Sequence, residues 1–488
     1  MRLENIIKES GVVEVKGNLG LDVTSICNDS RKAVPGSLFV AVKGFDIDGH
    51  SFIGKAIEKG ASAIAYEDDS FIGEGIPSDV TLVKVADSRH AVAIMASNFH
   101  GNPSSKLTLV GITGTNGKTT TVTLLYRLFM SEGYNCGLLS TIANYVGTKR
   151  TETANTTADP ITINSLMAEM VEQGCEYCFM EVSSIGVEQE RVSGLDFKVA
   201  IFSNLTHDHL DYHKTFAEYL RCKKLFFDNL SKDAVAIINA DDRNGEVMVQ
   251  NTKARVMTYS LRGMADHTCR IVEESFDGML LRIDGRETWT KLIGQHNAFN
   301  ILAIYSAAMA VGADQEETLI AISKLESAPG RLETIHGPKG LSVILDYAHT
   351  PDALENVLKT LRDIAPGKQL ICLFGCGGDR DKTKRPEMAA VAEKFADRIF
   401  VTSDNSRSER TEDIMEDIKG GLSPRGLAKS LFIGDRKEAI RTAVMLAPQG
   451  ATILLAGKGH ETYQIIGTEH KHFDEREIVA EVFGMMQD

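Results

Sequence analysis

A chain of 488 residues has room for roughly three domains of ~150 residues, each large enough to bury a core. Apolar residues make up 43% and charged residues 25%, the balance of a folded globular protein. A net charge of −14 excludes a general nucleic-acid-binding surface, and no run approaches the ~18 apolar residues that would insert in a membrane. Local basic pockets for small anions remain open.

The first ~100 residues (estimated from turn and composition signals) begin without the apolar core of a signal peptide and read as short strands and helices, such as "SLFVAVKG" and "HSFIGKAIEKGASAIAYED". "FHGNPSSKL" (99–107) gathers Gly, Pro, Asn and Ser, so a first domain is expected over 1–100. "KLTLVGIT" (106–113) is patterned as a buried strand, and "TTTVTLLYRLFMSEG" (119–133) places apolar residues at helical spacing and stops at Gly133. Between them lies "GITGTNGKTTT" (111–121), which departs from the strict P-loop pattern because Ile112 stands where its first glycine belongs. Gly114 and Gly117 still let backbone N–H groups approach an anion at a helix N-terminus. Lys118 can reach terminal phosphates and Thr119 can ligate Mg²⁺. An ordinary Gly/Thr-rich turn is the bland alternative, and a phosphate site explains the residues better.

Further along, "GCEYCFMEV" carries Cys175 and Cys178 at C-x-x-C spacing. No second pair matches it, so these read as buried reduced cysteines and the expected location is the cytoplasm. "FMEVSSIG" (179–186) places Glu181 near a strand end, either as part of a Mg²⁺ site or merely solvated. "FSNLTHDHLDYHKTFAEYLRCKKLFF" (202–227) packs His207, His209, His213 and two aspartates into seven residues. That density suits a metal or a substrate edge, or else a polar loop with Asp208 or Asp211 as caps. Spacing alone does not single out Lys223 over Lys224. "LIGQHNAFNILAIYSAA" (292–308) offers Asn297 and Asn300 at a helix start, and "APGRLETI" (328–335) offers Arg331.

"IHGPKG" (335–340) reads as a second linker, giving a central domain over 101–337 and a last domain over 338–488. "VILDYAHTP" (343–351) ends a strand with Asp346, Tyr347 and His349. "FGCGGDRDKTKRPEM" (374–388), "TSDNSRSE" (402–409) and "LAGKGHETYQ" (455–464) are charged loops beyond three further strands. The fold class is therefore α/β with mainly parallel sheets, and nearly every suggestive cluster sits at a strand's carboxyl end, where such sheets bind ligands. Acids and bases gathered on neighbouring loops suit a zwitterion such as an amino acid, although an exposed salt-bridged rim has the same composition.

In this order, "GTNGKTT", "MEVSS", "NLTHDHLDYH", "HNAFN", "GRLE", "DYAHTP", "GCGGDRDKTKRP" and "GKGHE" resemble the Mur ligases, ATP-dependent amino-acid-adding enzymes of peptidoglycan synthesis. The likeness spans essentially the whole chain, and "DSRKAVPGSLFVAVKGFDIDGHSFI" resembles the branch that adds the third peptide residue. It implies a UDP-binding first domain, a central P-loop ATPase domain and a Rossmann-like last domain that takes the amino acid. The resemblance assigns ATP to Gly114, Thr115, Asn116, Gly117, Lys118, Thr119 and Thr120, together with Asn297, Arg331 and Asp346. It makes Thr119, Glu181, His209 and a carbamylated Lys223 the Mg²⁺ ligands, with Lys118, Lys223, Glu181 and His209 catalytic. Ser30 then touches UDP, while Asn155, Thr156, Thr157, Ser183, Gln189 and Arg191 touch the muramoyl-dipeptide. The amino acid falls to Arg380, Asp404, Asn405, Ser406, Arg407, Gly457 and Glu461.

Relatives that add meso-diaminopimelate resemble one another at an Asp-Asn-Pro-Arg loop. Here the loop is Asp404-Asn405-Ser406-Arg407, with the arginine kept and a rigid φ lost. Ile185 is a second departure, standing where relatives often carry histidine. The implied substrates are UDP-MurNAc-L-Ala-D-Glu and meso-diaminopimelate, joined by a monomer at the expense of ATP through an acyl phosphate. Lysine addition, another Mur-type or folylpolyglutamate-type ligation, and a P-loop switch without ligation are the rivals.

Overall fold

The computed structural model describes residues 1–44, 47–73, 75–206 and 210–486. A first sheet is built from β1 (Val12–Lys16), β2 (Ser25–Cys27), β3 (Ser37–Val40), β4 (Ala63–Tyr66) and β5 (Thr81–Val85), in the order β1-β5-β4-β3-β2. Only β1 runs antiparallel. β3 and β4 are buried at every position, which suits a parallel sheet covered on both faces.

The central sheet comprises β6 (Thr108–Thr113), β7 (Cys136–Leu139), β8 (Asn144–Val146), β9 (Lys149–Thr151), β10 (Tyr177–Glu181) and β11 (Phe197–Phe202). It continues with β12 (Val235–Asn239), β13 (Arg255–Ser260), β14 (His267–Ser275), β15 (Gly278–Ile283) and β16 (Arg286–Thr290). Their order is β16-β15-β14-β13-β12-β11-β6-β10-β7-β8-β9. β6 lies between β10 and β11, all three parallel; the connection after β6 runs toward β7 and that after β11 toward β12, so they diverge and open a crevice at the carboxyl ends of β6 and β11. The antiparallel additions at both edges were not legible as such: β8, β9 and β14–β16 are short or half-exposed meanders. The helix Gln295–Ala310 is buried along nearly its whole length and packs against the helix Lys118–Ser131.

The third sheet contains β17 (Glu333–His336), β18 (Ser342–Asp346), β19 (Leu370–Phe374), β20 (Arg398–Val401), β21 (Ser430–Phe432) and β22 (Thr452–Ala456). Its order is β17-β18-β22-β19-β20-β21, parallel except for β17. A hairpin, β23 (Tyr463–Ile466) with β24 (Glu469–His472), lies outside it. "IHGPKG" is not a linker but the turn between β17 and β18, since Glu333–His336 pairs with Ser342–Leu345. Gly and Pro mark a tight hairpin turn as readily as a domain break. The break expected at 337 therefore moves upstream of Glu333.

The first and central sheets meet where the helix Ser88–Phe99 packs on the helix Pro160–Glu172. Ile293, from the central part, enters the same apolar cluster as Leu354, Leu358 and Leu454 of the third. All eight cysteines are buried and unpaired, Cys175 and Cys178 included. Among the described residues, no helix is long and apolar enough to cross a membrane.

Candidate active site

The turn after β6 is held open as a cradle by the chain that leaves β11. Thr115 N donates to Asn204 O at 2.8 Å, and Asn116 N donates to Asn204 Oδ1 at 3.0 Å. Ser203 Oγ and Asn204 Nδ2 donate to Asn116 O at 2.6 and 3.1 Å. Gly117 has φ +89°, and a Cβ there would stand 2.5 Å from Asn300 Oδ1; one on Gly114 would stand 1.9 Å from Ser203 Oγ. The backbone thus closes around a space suited to an anion, facing the N-terminus of the helix Lys118–Ser131. Lys118 Nζ donates to Gly114 O and Thr115 O, both at 2.9 Å, which keeps its charge over the cradle. Thr119 and Thr120 are buried in the first helical turn.

Lys223 and Lys224 separate cleanly. Lys223 is 1% exposed, donates to Gly114 O at 2.8 Å and lies over the Tyr219 ring at 4.8 Å, directly beneath the cradle. Lys224 pairs with Asp228 one turn along its own helix, at 2.6 Å. Glu181, also 1% exposed, closes β10. Its carboxylate accepts from Thr141 N at 2.8 Å and Thr141 Oγ at 3.1 Å. Glu181 at the end of β10 and Thr119 in the first turn of the helix after β6 offer oxygen ligands, which suits a hard divalent cation. His209 lies outside the described residues, as do His207 and Asp208. His213 turns inward, with Nε2 2.8 Å from Ser184 Oγ and Nδ1 3.9 Å from the Glu188 carboxylate.

A cleft of about 190 Å³ opens between the first and central sheets, and Asn155, Gln189 and Arg191 line it. So do Asn28, Lys43 and Arg89, which the sequence reading did not name. Arg191 donates to Gln189 Oε1 at 2.7 Å and to Thr157 O at 2.6 Å. Thr157 Oγ in turn donates to Glu181 O at 3.0 Å and accepts from Ser183 N at 3.0 Å. Thr156 Oγ accepts from Thr141 Oγ at 3.1 Å, so this group runs continuously from the cleft to Glu181. Ser30 is buried in the first domain two residues from Asn28, which lines the cleft.

Asn297 points into the protein, donating to Ile293 O at 2.8 Å and accepting from Asn300, so it is Asn300 that abuts the cradle. Arg331 stacks on Tyr347 at 4.8 Å, next to Asp346. Asp346 accepts from Leu332 N and Ala348 N, both at 2.8 Å; burial pushes its carboxyl above the usual range, against the pull of Arg331. His460 lies beside Tyr347, and burial, aided by Arg331 and Arg476, brings it down to about 4, so it is neutral at neutral pH.

The loops after β19, β20 and β22 converge. Asn405 Nδ2 donates to Glu461 Oε2 at 2.9 Å, and Arg407 Nη1 donates to Gly378 O at 2.9 Å. Gly457, at φ +112°, leaves room for Asp404, since a Cβ would lie 2.7 Å from Asp404 Oδ2. The loop without proline is held by the hairpin instead. Gln464 Nε2 donates to Ser403 Oγ and Asp404 O, Ile465 N donates to Asn405 Oδ1, and Arg407 exchanges main-chain bonds with Ile465 and Gly467. Ser406 is 4% exposed within this frame. Arg380 is exposed, its guanidinium 3.2 Å from Asp379 O. Nothing in the structure accounts for Ile185.

Family models match three consecutive stretches: the Mur ligase family catalytic domain at 22–100, the Mur ligase middle domain at 112–309, and the Mur ligase glutamate ligase domain at 330–459. A protein of Parabacteroides distasonis is 50% identical over 488 residues, all of both chains. The chain belongs to the Mur ligase family. The Parabacteroides protein and one of Cytophaga hutchinsonii, 48% identical over 99% of each chain, are both named UDP-N-acetylmuramoyl-L-alanyl-D-glutamate–2,6-diaminopimelate ligase. A solved structure under the same name is 30% identical, with a TM-score of 0.71 over 100% of this chain and 99% of the other.

In this Mur ligase the sequence reading missed the residues that hold the called ones in place. Ser203, Asn204 and Thr141 carry no charge and follow strands in ordinary-looking turns. Their one signal was position: Ser203 and Asn204 lie just past β11, which flanks β6, and Thr141 just past β7, the neighbour of β10 on the other side.

Proposed function

We infer that this chain is an ATP-dependent ligase that joins meso-diaminopimelate to UDP-N-acetylmuramoyl-L-alanyl-D-glutamate in peptidoglycan synthesis. The observation that carries this reading is the 50% identity, over the entire chain, with a relative named for that reaction. The geometry supplies the chemistry. A carboxylate is a poor electrophile, so the γ-phosphoryl of ATP passes to the D-glutamyl γ-carboxylate, breaking the bond to ADP. The amine of diaminopimelate then attacks the acyl phosphate; phosphate leaves with the bonding pair, and the amine gives up a proton to form the amide.

The cradle at 114–119 binds the ATP phosphates, and Lys118 stabilises charge on the transferring group. Glu181 and Thr119, with His209, would hold Mg²⁺, which when bound offsets phosphate charge. Lys223, buried beneath the cradle, is assigned as carbamylated: its neutral amine adds CO₂ and loses a proton, giving an anionic oxygen at the end of a side chain that otherwise presents an ammonium. Asn155, Thr156, Thr157, Ser183, Gln189 and Arg191 hold the muramoyl-dipeptide in the cleft, with Ser30 toward UDP. Lys43 and Arg89 add positive charge for its diphosphate. Arg331 and Asp346 frame the nucleoside, and Asn297 serves the nucleotide site through Asn300, which it bonds beside the cradle. Arg407 and Arg380 take the distal carboxylate, and Asp404, Asn405, Ser406, Gly457 and Glu461 complete the amino-acid site. Its domains span 1–100, 101 to just before Glu333, and from there to 488, a division that the three sheets support, and it acts as a monomer in the cytoplasm, where unpaired cysteines are stable.

ADP release is the test, with ATP, Mg²⁺ and the UDP-muramoyl-dipeptide, and with meso-diaminopimelate, L-lysine or D-Ala-D-Ala added in parallel. Turnover only with diaminopimelate, with an amide product by mass, is expected. Turnover with lysine would keep the ligase and sink the role of Arg407; hydrolysis indifferent to every acceptor would favour a nucleotide switch.

A further inference from the structure

We propose that Lys458 is the positioning residue of the diamino-acid site, its ammonium fixing Asp404, Asn405 and Glu461 relative to one another without meeting the substrate. This rests on the preceding assignment of that site. Lys458 follows β22 between two glycines in the left-handed region, Gly457 at φ +112° and Gly459 at φ +52°, and its side chain is 0% exposed. Its Nζ lies 2.7 Å from Tyr463 O, 3.1 Å from Asn405 Oδ1 and 3.2 Å from Glu461 Oε2, with Asp404 Oδ1 at 3.6 Å. An ammonium has three donors, and these acceptors take all of them. The rings of Tyr463 and Phe473 close over it at 6.0 and 5.9 Å. No donor is left for a ligand, so the role is organisation.

Asn405 shows what is organised. Its Oδ1 accepts from both Lys458 and Ile465 N, which fixes the amide so that Nδ2 donates to Glu461 at 2.9 Å. A buried carboxylate, Asp404, and a half-buried one, Glu461, in one site repel, and without a cation one of them would take up a proton. Burial works to raise Asp404, yet Lys458 and Arg436 together hold it below the ordinary carboxylate range. Burial raises Glu461, with Lys458 opposing. The lysine thus leaves an anionic site for the incoming ammonium group and spaces its acids. A compact point charge with three acceptors in different directions is a lysine arrangement, not an arginine one.

The test compares wild type, Lys458→Gln, Lys458→Arg and Glu461→Gln, and the double variant of Lys458→Gln with Glu461→Gln, in the ADP-release assay with thermal melts alongside. For K458Q the KM for diaminopimelate should rise roughly tenfold or more, as for loss of a charge-assisted hydrogen bond, while the KM values for ATP and the UDP-muramoyl-dipeptide stay within about twofold. The double variant should be little worse than E461Q alone. K458R, which keeps the charge and loses the three-acceptor fit, should show the same selectivity to a smaller degree; it carries the test should K458Q not fold. A lower melting temperature with an unchanged diaminopimelate KM would overturn the proposal, as would losses that add in the double variant. Wild type that forms no amide with diaminopimelate fails before any variant is read, which separates failure of the assigned reaction from failure of the role given to Lys458.

Discussion

Gly117 and Gly133 flank the same helix with the same backbone handedness, φ +89° and +95°. They differ in what a side chain would meet. A Cβ on Gly117 would stand 2.5 Å from Asn300 Oδ1, whereas one on Gly133 meets nothing within 4 Å. Alanine at either position carries a left-handed backbone cost of about 1 kcal/mol or slightly more. Only at Gly117 must Asn300 also move, and Asn300 is buried and bonded to Asn297. Gly133→Ala should therefore lower the melting temperature modestly and leave nucleotide affinity intact. Gly117→Ala should lower it at least as much and weaken ATP binding by calorimetry. Equal nucleotide affinity in the two variants would mean the cradle tolerates a Cβ and that its glycine serves φ alone.

At the scale of elements, the loops after β19 and β20 are clamped together by a side chain that binds no ligand. Arg385, 0% exposed near the start of the helix Lys384–Phe395, reaches Glu409 at 2.9 Å and Asp417 at 2.7 Å. Glu409 also accepts from Asp379 N at 2.7 Å, next to Arg380. Hydrogen bonds from Arg385 are the main reason the Glu409 carboxyl falls from its ordinary 4.5 to about 2. A carboxyl lowered on folding stabilises the fold fully above its ordinary value and loses that contribution as pH falls toward its folded value. Breaking a buried pair costs about 3–5 kcal/mol; both carboxylates here reach solvent, so about 2 kcal/mol is expected for Arg385→Met at neutral pH. In urea melts the gap between wild type and R385M should hold down to about pH 5 and narrow progressively between about 4.5 and 2. A gap independent of pH over that interval would remove Glu409 from the account. What was legible at this scale follows the same division. Parallel strands buried on both faces, and the charged loops beyond them, stood out because β-branched runs and clustered acids have few other uses. The edge meander β14–β16 did not, because half-exposed strands lack that uniform pattern, and a hairpin turn at 337–340 has the composition of a linker. Spacing could not tell Lys223 from Lys224; the resemblance singled out Lys223, and burial, which depends on where its helix packs, separates the two in the structure.

For the whole molecule, the decisive link joins the cradle to the third sheet. Asp352, in the first turn of the helix Pro351–Ile364, accepts from Asn116 Nδ2 at 3.0 Å and from Thr206 Oγ at 3.2 Å. Asn116 belongs to the phosphate cradle, so one residue serves both the nucleotide site and the seating of the last domain. A further close approach is at the chain crossing, where a Cβ on Gly330 would lie 2.1 Å from Gly459 C and the His460 N. Any turn of the last domain about that contact would break the Asp352 bonds. Hydrogen bonds to a charged group contribute about 1.5–3 kcal/mol, and domain equilibria often span only a few kcal/mol, so losing Asp352 should shift the population by tenfold or more. Asp352→Ala should give a larger radius of gyration by small-angle scattering without ligands, with unchanged circular dichroism. Adding ATP and Mg²⁺ should bring the variant partly back toward the wild-type radius, because the cradle follows β6 of the central sheet while Asp346 and Tyr347, beside which Arg331 packs, lie at the end of β18 of the third. If Asp352 serves only its own helix N-terminus, the variant will melt earlier and scatter identically, and the coupling between cradle and closure will have to run through other residues.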